Sequence, residues 1–198
     1  MIVIIDYGAG NIRSIQNAFK KLGATVKVVG SPRQLAGASH LILPGVGAFG
    51  DAMEKLKPFQ EPLRKAVDAG TPFLGLCLGI QVIFEESEES PGAAGLGLLP
   101  GTCRRFPQNM KVPHMGWNTI EKKKETPLLA GIPSGTYFYF VHSYYPLPEN
   151  PSTIACETDY SGVRFPSAVS QENVHATQFH PERSGEQGLK LLGNFLKL

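Results

Sequence analysis

The chain has 198 residues, 42% hydrophobic and 18% charged, with 19 basic against 17 acidic side chains. That length suits one domain spanning residues 1–198, and so even a charge balance excludes a nucleic-acid or membrane-surface footprint. The three cysteines (Cys77, Cys103, Cys156) share no CxxC spacing, and no apolar run reaches the roughly 18 residues of a membrane span, so free thiols in the cytoplasm are expected.

The elements follow in order. Ile2–Ile5 is a β-branched run, as in a strand buried on both faces. Asn11 can cap a helix whose Ile12, Ile15, Phe19 and Leu22 recur at helical spacing and which Gly23 ends. Thr25–Val29 and Leu41–Leu43 read as the next strands. A helical stretch from about Asp51 to Asp68 is expected to break near Pro58 and Pro62, before a strand over Pro72–Leu76 and a helix from Leu78. Such alternation predicts right-handed βαβ units and a parallel sheet with helices on both faces.

From about Leu96 the texture changes to short runs rich in Val, Tyr, Phe and Thr: TYFYFV, TIACET, VRFPSAVS and NVHATQFH. These predict further strands, several of them antiparallel. Residues 91–101 form a Gly-rich surface connection, Lys122–Lys124 reads as a solvated turn, and a helix over about Gly185–Leu196 closes the chain. The fold class is α/β: a flavodoxin-like three-layer domain with a mainly parallel central sheet and antiparallel strands in its second half.

Two segments carry chemistry. In PGVGAFGD, Gly45, Gly47 and Gly50 match G-x-G-x-x-G, the spacing of a pyrophosphate cradle. That loop follows the third strand, however, where a dinucleotide fold uses the first, and the acid about 20 residues on, Asp68, lies in a helical stretch. In TPFLGLCLGIQ, Cys77 stands at a strand-to-helix junction with Gly75 and Gly79 two residues to either side. That is the pattern of a nucleophile elbow, with the helix N-terminus favouring thiolate; the alternative is a small core cysteine. Of the five histidines, His40 reads as structural and His180 has the most telling context, QFHPER. Pro181 keeps His180 extended, so Glu182 projects on the same side and can pair with the ring; the alternative is a surface His beside a surface Glu.

GLCLGIQ together with FHPE resembles the triad-type (class I) glutamine amidotransferases, whose Cys, His and Glu match Cys77, His180 and Glu182. IIDYGAGNIRSIQNAFKKLG, PGVGAFGDAM, KVPHMGWN and YFVHSYY are similar in particular to the glutaminase subunits of imidazole glycerol phosphate synthase, and the similarity runs from residue 2 to the final helix. The resemblance implies hydrolysis of L-glutamine to glutamate and ammonia through a thioester on Cys77, within histidine biosynthesis; with no clustered His/Cys/Asp ligand set and no GK(S/T) phosphate loop in the sequence, no metal or organic cofactor is expected. It implies that the PGVG loop helps to build an oxyanion hole, with the amides of Val46 and Leu78 as donors and Gly45 and Gly47 permitting close approach. It places the substrate's α-groups at His142, Ser143 and Tyr144. Gln81, one helical turn after Cys77, contacts the substrate or makes a structural hydrogen bond to a nearby loop. His114 is expected to be structural or interfacial.

The implied partner is a (β/α)₈-barrel cyclase subunit, with Asn11, Trp117 and Arg183 in loops near the docking edge; a core position is the alternative for Trp117. A cysteine peptidase, a γ-glutamyl hydrolase, or the glutaminase for anthranilate, carbamoyl phosphate or pyridoxal phosphate synthesis would share the triad.

Overall fold

A computed structural model describes residues 1–198. The first half runs β1 (Ile2–Ile5), α1 (Ile12–Lys21), β2 (Val26–Val29), β3 (His40–Leu43), α2 (Phe49–Leu56), α3 (Gln60–Asp68), β4 (Phe73–Leu76) and α4 (Leu78–Val82). The second half runs β5 (Glu86–Ser87), β6 (Gly101–Arg105), β7 (His114–Thr119), β8 (Glu121–Lys122), β9 (Tyr137–His142), β10 (Tyr144–Pro148), β11 (Ile154–Tyr160), β12 (Val163–Gln171), β13 (Val174–Thr177) and α5 (Gly185–Phe195).

The main sheet has eight strands in the order β2-β1-β3-β4-β13-β12-β11-β8. Its first five strands are parallel, in the flavodoxin-like order, and the rest are antiparallel. Alternate side chains go to opposite faces. Val3, Ile5, Leu41, Leu43 and Phe73 join a core cluster with α2, α3 and α4, while Ile4, Ile42, Leu74 and Leu76 join a second with α1 and α5. Both faces are covered, which is why these strands read as unbroken apolar runs. The remaining strands form two small sheets, β10-β6-β5 and the β7–β9 hairpin. No helix is long and apolar enough to cross a membrane.

Several expectations need correction. The break between α2 and α3 falls only at Pro58, within a 3₁₀ turn over Lys57–Phe59, and Pro62 sits in the first turn of α3, where a missing N–H costs nothing. Strand β13 ends at Thr177, so the run predicted through to His180 is cut short by three residues. Residues Lys122–Lys124 are no free solvated turn: Lys122 lies in β8 and pairs with Glu125, and the Lys124 ammonium donates to the carbonyls of Ser152 and Ser170.

Helix α4 starts so close to the end of β3 that a methyl on Gly79 would lie 2.3 Å from the Leu43 carbonyl oxygen. Gly79→Ala therefore overpacks backbone against backbone, and a loss of about 1–3 kcal/mol is expected in chemical denaturation. Gly193, in α5, is the contrast: its added methyl would meet only Leu22 Cδ2, at 3.7 Å. Gly193→Ala should gain about 0.5–1 kcal/mol, because only the helix-propensity term remains.

Candidate active site

Cys77 is the one residue between β4 and α4, and its backbone is left-handed, φ 56° and ψ −104°. A side chain seldom holds that conformation unless its surroundings impose it. They do so here: its N–H donates to the Thr177 carbonyl (2.8 Å), its carbonyl accepts from Ile80 N–H (3.1 Å), and glycines admit the crowded backbone on either side. A methyl on Gly75 would come within 2.7 Å of the Gly79 oxygen. The three cysteines are unpaired and buried, and of them Cys77 lines the cavity that His180 also borders. Burial pushes Cys103 well above the usual thiol range and Cys156 to about 12, so both are inert.

The cavity encloses about 380 Å³ at the C-terminal edge of the sheet. His180 lines it, 5% exposed, with Nδ1 2.8 Å from Glu182 Oε1. The reason for this pairing differs from the one expected. Residues Pro181–Arg183 form a 3₁₀ turn, and the ring and carboxylate meet across it. The His180 backbone is anchored on both sides, by its N–H to the Tyr139 carbonyl (2.9 Å) and by its carbonyl accepting from Ser184 Oγ (2.6 Å). Its Nε2 has no hydrogen-bond partner. Burial lowers the ring's pKa, but Cys77 and Glu182 together outweigh it and raise the value to about 10. The buried ring is thus an imidazolium at neutral pH.

A chain of hydrogen bonds fixes the walls. Gln178 Nε2 donates to the Cys77 carbonyl (3.5 Å), and Gln81 Nε2 donates to Gln178 Oε1 (3.2 Å) and to the Tyr144 carbonyl (3.1 Å). Both Gln81 amide hydrogens are spent, so its Oε1 is what remains for an occupant. The Tyr144 carbonyl also accepts from His142 Nδ1 (2.8 Å), which makes His142 Nε2 an acceptor for His114 Nδ1 (3.0 Å). His114 Nε2 in turn accepts from Asn118 Nδ2 (3.2 Å). Burial lowers His142 to about 3 and His114 to about 4, so both rings stay neutral and each tautomer is set by its neighbour. The His142 imidazole is therefore occupied at both nitrogens, and its ring is not free to bind anything in the cavity. Ser143 and Tyr144 complete that wall.

The opposite wall is the PGVG loop. Leu78 N–H donates to the Gly45 carbonyl at 3.4 Å. The one cis peptide is Val112–Pro113, so the Gly45–Val46 peptide is trans and its N–H points opposite to its C=O. The two amides expected to converge therefore do not: Leu78 is occupied, and Val46 N–H faces away. The close approach is made by Gly45 alone, since an added methyl there would lie 2.8 Å from Leu78 Cβ. Gly47 has open space around it and needs its glycine for a φ of 101°. The G-x-G-x-x-G match is no phosphate cradle either. The first amides of α2 are taken by side chains, Phe49 N–H by Glu89 Oε2 (2.7 Å) and Gly50 N–H by Ser90 Oγ (2.9 Å).

At the rim, Asn11 caps α1 by accepting from Ser14 N–H, and the Arg183 guanidinium lies 4.2 Å over the Tyr139 ring. Trp117 meets the same ring edge-on and is 55% exposed, so it is not a core residue, and it lies on strand β7, where a loop was expected. Its exposed neighbours are Met115 and Tyr137 on the same hairpin, and Val46 across the cavity mouth. Glu89, Tyr139, Val141 and Gln178 escaped the sequence reading. Only Gln178 carried a signal, as a buried amide next to a strand end.

Residues 3–198 match the family model of class-I glutamine amidotransferases. The chain is 54% identical, over all of its length and 98% of the relative's, to the imidazole glycerol phosphate synthase subunit HisH of Methanothermobacter thermautotrophicus. It is 50% identical, over the full length of both, to the subunit of the same name from Methanocaldococcus jannaschii. Its fold is similar to that of PurLQS from Thermotoga maritima (TM-score 0.81, 21% identity, 99% of this chain and 97% of that one). A crystal structure of a glutamine amidotransferase is similar as well (TM-score 0.76, 23% identity, 100% and 98%).

The His180 geometry has a measurable consequence. Because its pKa is raised, the stabilisation from its neighbours is complete below the unfolded value of about 6.5 and is lost as pH rises toward 10. In NMR the ring should show no titration between about pH 5.5 and 8.5, and Cys77→Ala should bring its midpoint down. A ring that titrates near 6.5 in the unaltered chain contradicts this electrostatic account.

Proposed function

Because the chain belongs to the class-I glutamine amidotransferases, and within them with the HisH subunits, we propose that it hydrolyses L-glutamine at Cys77, with His180 and Glu182 as proton carrier and orienter. One observation carries the reading: a strained cysteine and a carboxylate-bound histidine border the same small cavity. Cys77 attacks the side-chain carbonyl as thiolate, and the His180 imidazolium gives its Nε2 proton to departing ammonia. His180 then takes a proton from water as it attacks the thioester, which releases glutamate. Glu182 holds the tautomer and supports the imidazolium.

The cavity's charges complement a free amino acid. Glu89 and Arg183 supply one carboxylate and one guanidinium, and Gln81 Oε1 and the Ser143–Tyr144 backbone supply neutral polar groups. A γ-glutamyl peptide carries the same α-groups, so what supports free glutamine over it is the family to which the chain belongs.

The intermediates need two N–H donors at the developing oxyanion. A half-turn of the Gly45–Val46 peptide removes the carbonyl from Leu78 N–H and brings Val46 N–H in from the other side. The resting orientation supports a chain of low activity by itself. The partner, on this reading, is the cyclase subunit of imidazole glycerol phosphate synthase, which receives the ammonia. Val46, Met115, Trp117, Tyr137 and the Arg183–Tyr139 stack offer it an exposed aromatic and apolar rim around the cavity, of the kind that anchors interfaces.

Three results are expected. A glutamine-mimicking diazoketone should label Cys77 alone in peptide mapping, and Cys77→Ser should be inactive; label on Cys103 or Cys156 removes the elbow argument. His180→Ala should abolish turnover while Glu182→Gln keeps a part of it, and Glu89→Gln should raise KM for glutamine far more than it lowers kcat. Glutamate release should increase when the cyclase subunit and its ligand are added, by about 10²-fold or more if an oxyanion donor is gained. Equal rates with and without them would make the chain an autonomous glutaminase.

A further inference from the structure

Tyr7 lies in the turn after β1, is only 6% exposed, and has a hydroxyl with no hydrogen-bond partner inside the protein. An ideal methyl on Gly45 would lie 2.6 Å from that hydroxyl, so the phenol is in contact with the Gly45 backbone. The same turn is the bed of the PGVG loop: a methyl on Gly10 would meet Pro44 Cβ at 3.0 Å and Gly45 N at 3.5 Å. Burial, aided by the nearby Cys77, holds the phenol well above its ordinary pKa, so it remains a neutral O–H donor.

A buried donor left unused calls for an explanation, and a second state of the molecule that employs it is one. Next to Tyr7 is a carbonyl that must leave its present donor if Leu78 N–H is to face an oxyanion. We propose that Tyr7 is a positioning residue for the donor loop, its hydroxyl accepting the role of hydrogen-bond donor to the Gly45 carbonyl when the Gly45–Val46 peptide turns over. This rests on the glutaminase reading given above. The exchange is balanced: the Gly45 carbonyl trades Leu78 N–H for Tyr7 O–H, and Leu78 and Val46 N–H both become free. In the turned state every one of these groups is partnered once an oxyanion is present. Without the oxyanion, Leu78 N–H is stranded, which keeps the resting orientation favoured until substrate reacts.

Tyr7→Phe removes the hydroxyl and keeps the ring. The full chain is assayed with the cyclase subunit, with and without imidazole glycerol phosphate, alongside thermal melting. The expected result is a melting temperature equal to or above the parent's, a KM for glutamine within about twofold, and a stimulated kcat lower by about tenfold, the size of one lost hydrogen bond. A stimulated kcat within about twofold of the parent overturns the proposal. A lowered melting temperature overturns it too, because the hydroxyl is then already bonded at rest. A parent complex that releases no glutamate at all refutes the glutaminase reading beneath it, a result distinct from either.

Discussion

The hydrogen bond from Leu78 N–H to the Gly45 carbonyl is the contact around which this site is organised. It joins the two loops that the fold brings to the carboxyl edge of the sheet, the turn after β3 and the elbow after β4. It exists because Gly45 has no Cβ to meet the one on Leu78, and because α4 begins against the end of β3 at Gly79. It also decides what the site can do. On the proposed reading, a nucleophile and a protonated histidine are in place, while one N–H that a tetrahedral intermediate needs is engaged with the protein's own carbonyl.

The rest of the site is cross-linked by hydrogen bonds. From the Cys77 carbonyl, hydrogen bonds run through Gln178, Gln81, Tyr144, His142 and His114 to Asn118 on β7, each neutral ring locked in one tautomer. This chain ties the elbow to the hairpin that carries Trp117 and Met115. On the proposed reading, a body docking on the hairpin and on Val46 touches both this hydrogen-bonded wall and the peptide that turns over. On that reading, the peptide that turns over and the surface that would bias it lie side by side, which is the physical requirement for coupling two sites.

Much of this was legible in the sequence, and for identifiable reasons. Strands such as Ile2–Ile5 and Phe73–Leu76 are buried on both faces, and Asn11 and Gly23 bracket α1 through local chemistry. The glycines around Cys77 report the crowding at the elbow directly. What escaped depends on contacts across the chain. The pairing of His180 with Glu182 was anticipated on an extended backbone, yet a 3₁₀ turn produces it. Glu89 reaches the cavity from a segment in which the sequence singled out no residue, and nothing around Tyr7 in the sequence signals that its hydroxyl lies against Gly45. The direction of a peptide plane leaves no trace in composition or spacing, so the oxyanion donors were assigned as though already assembled.

The central claim is that one peptide plane separates a resting from a working site. The direct measurement is a crystal structure of the chain in complex with the cyclase subunit, carrying a tetrahedral glutamine-derived adduct on Cys77. The account predicts that the adduct oxygen lies about 2.7–3.1 Å from both Val46 N and Leu78 N, with the Gly45 carbonyl turned away. An adduct in which the Gly45 carbonyl still accepts from Leu78 N–H would contradict it.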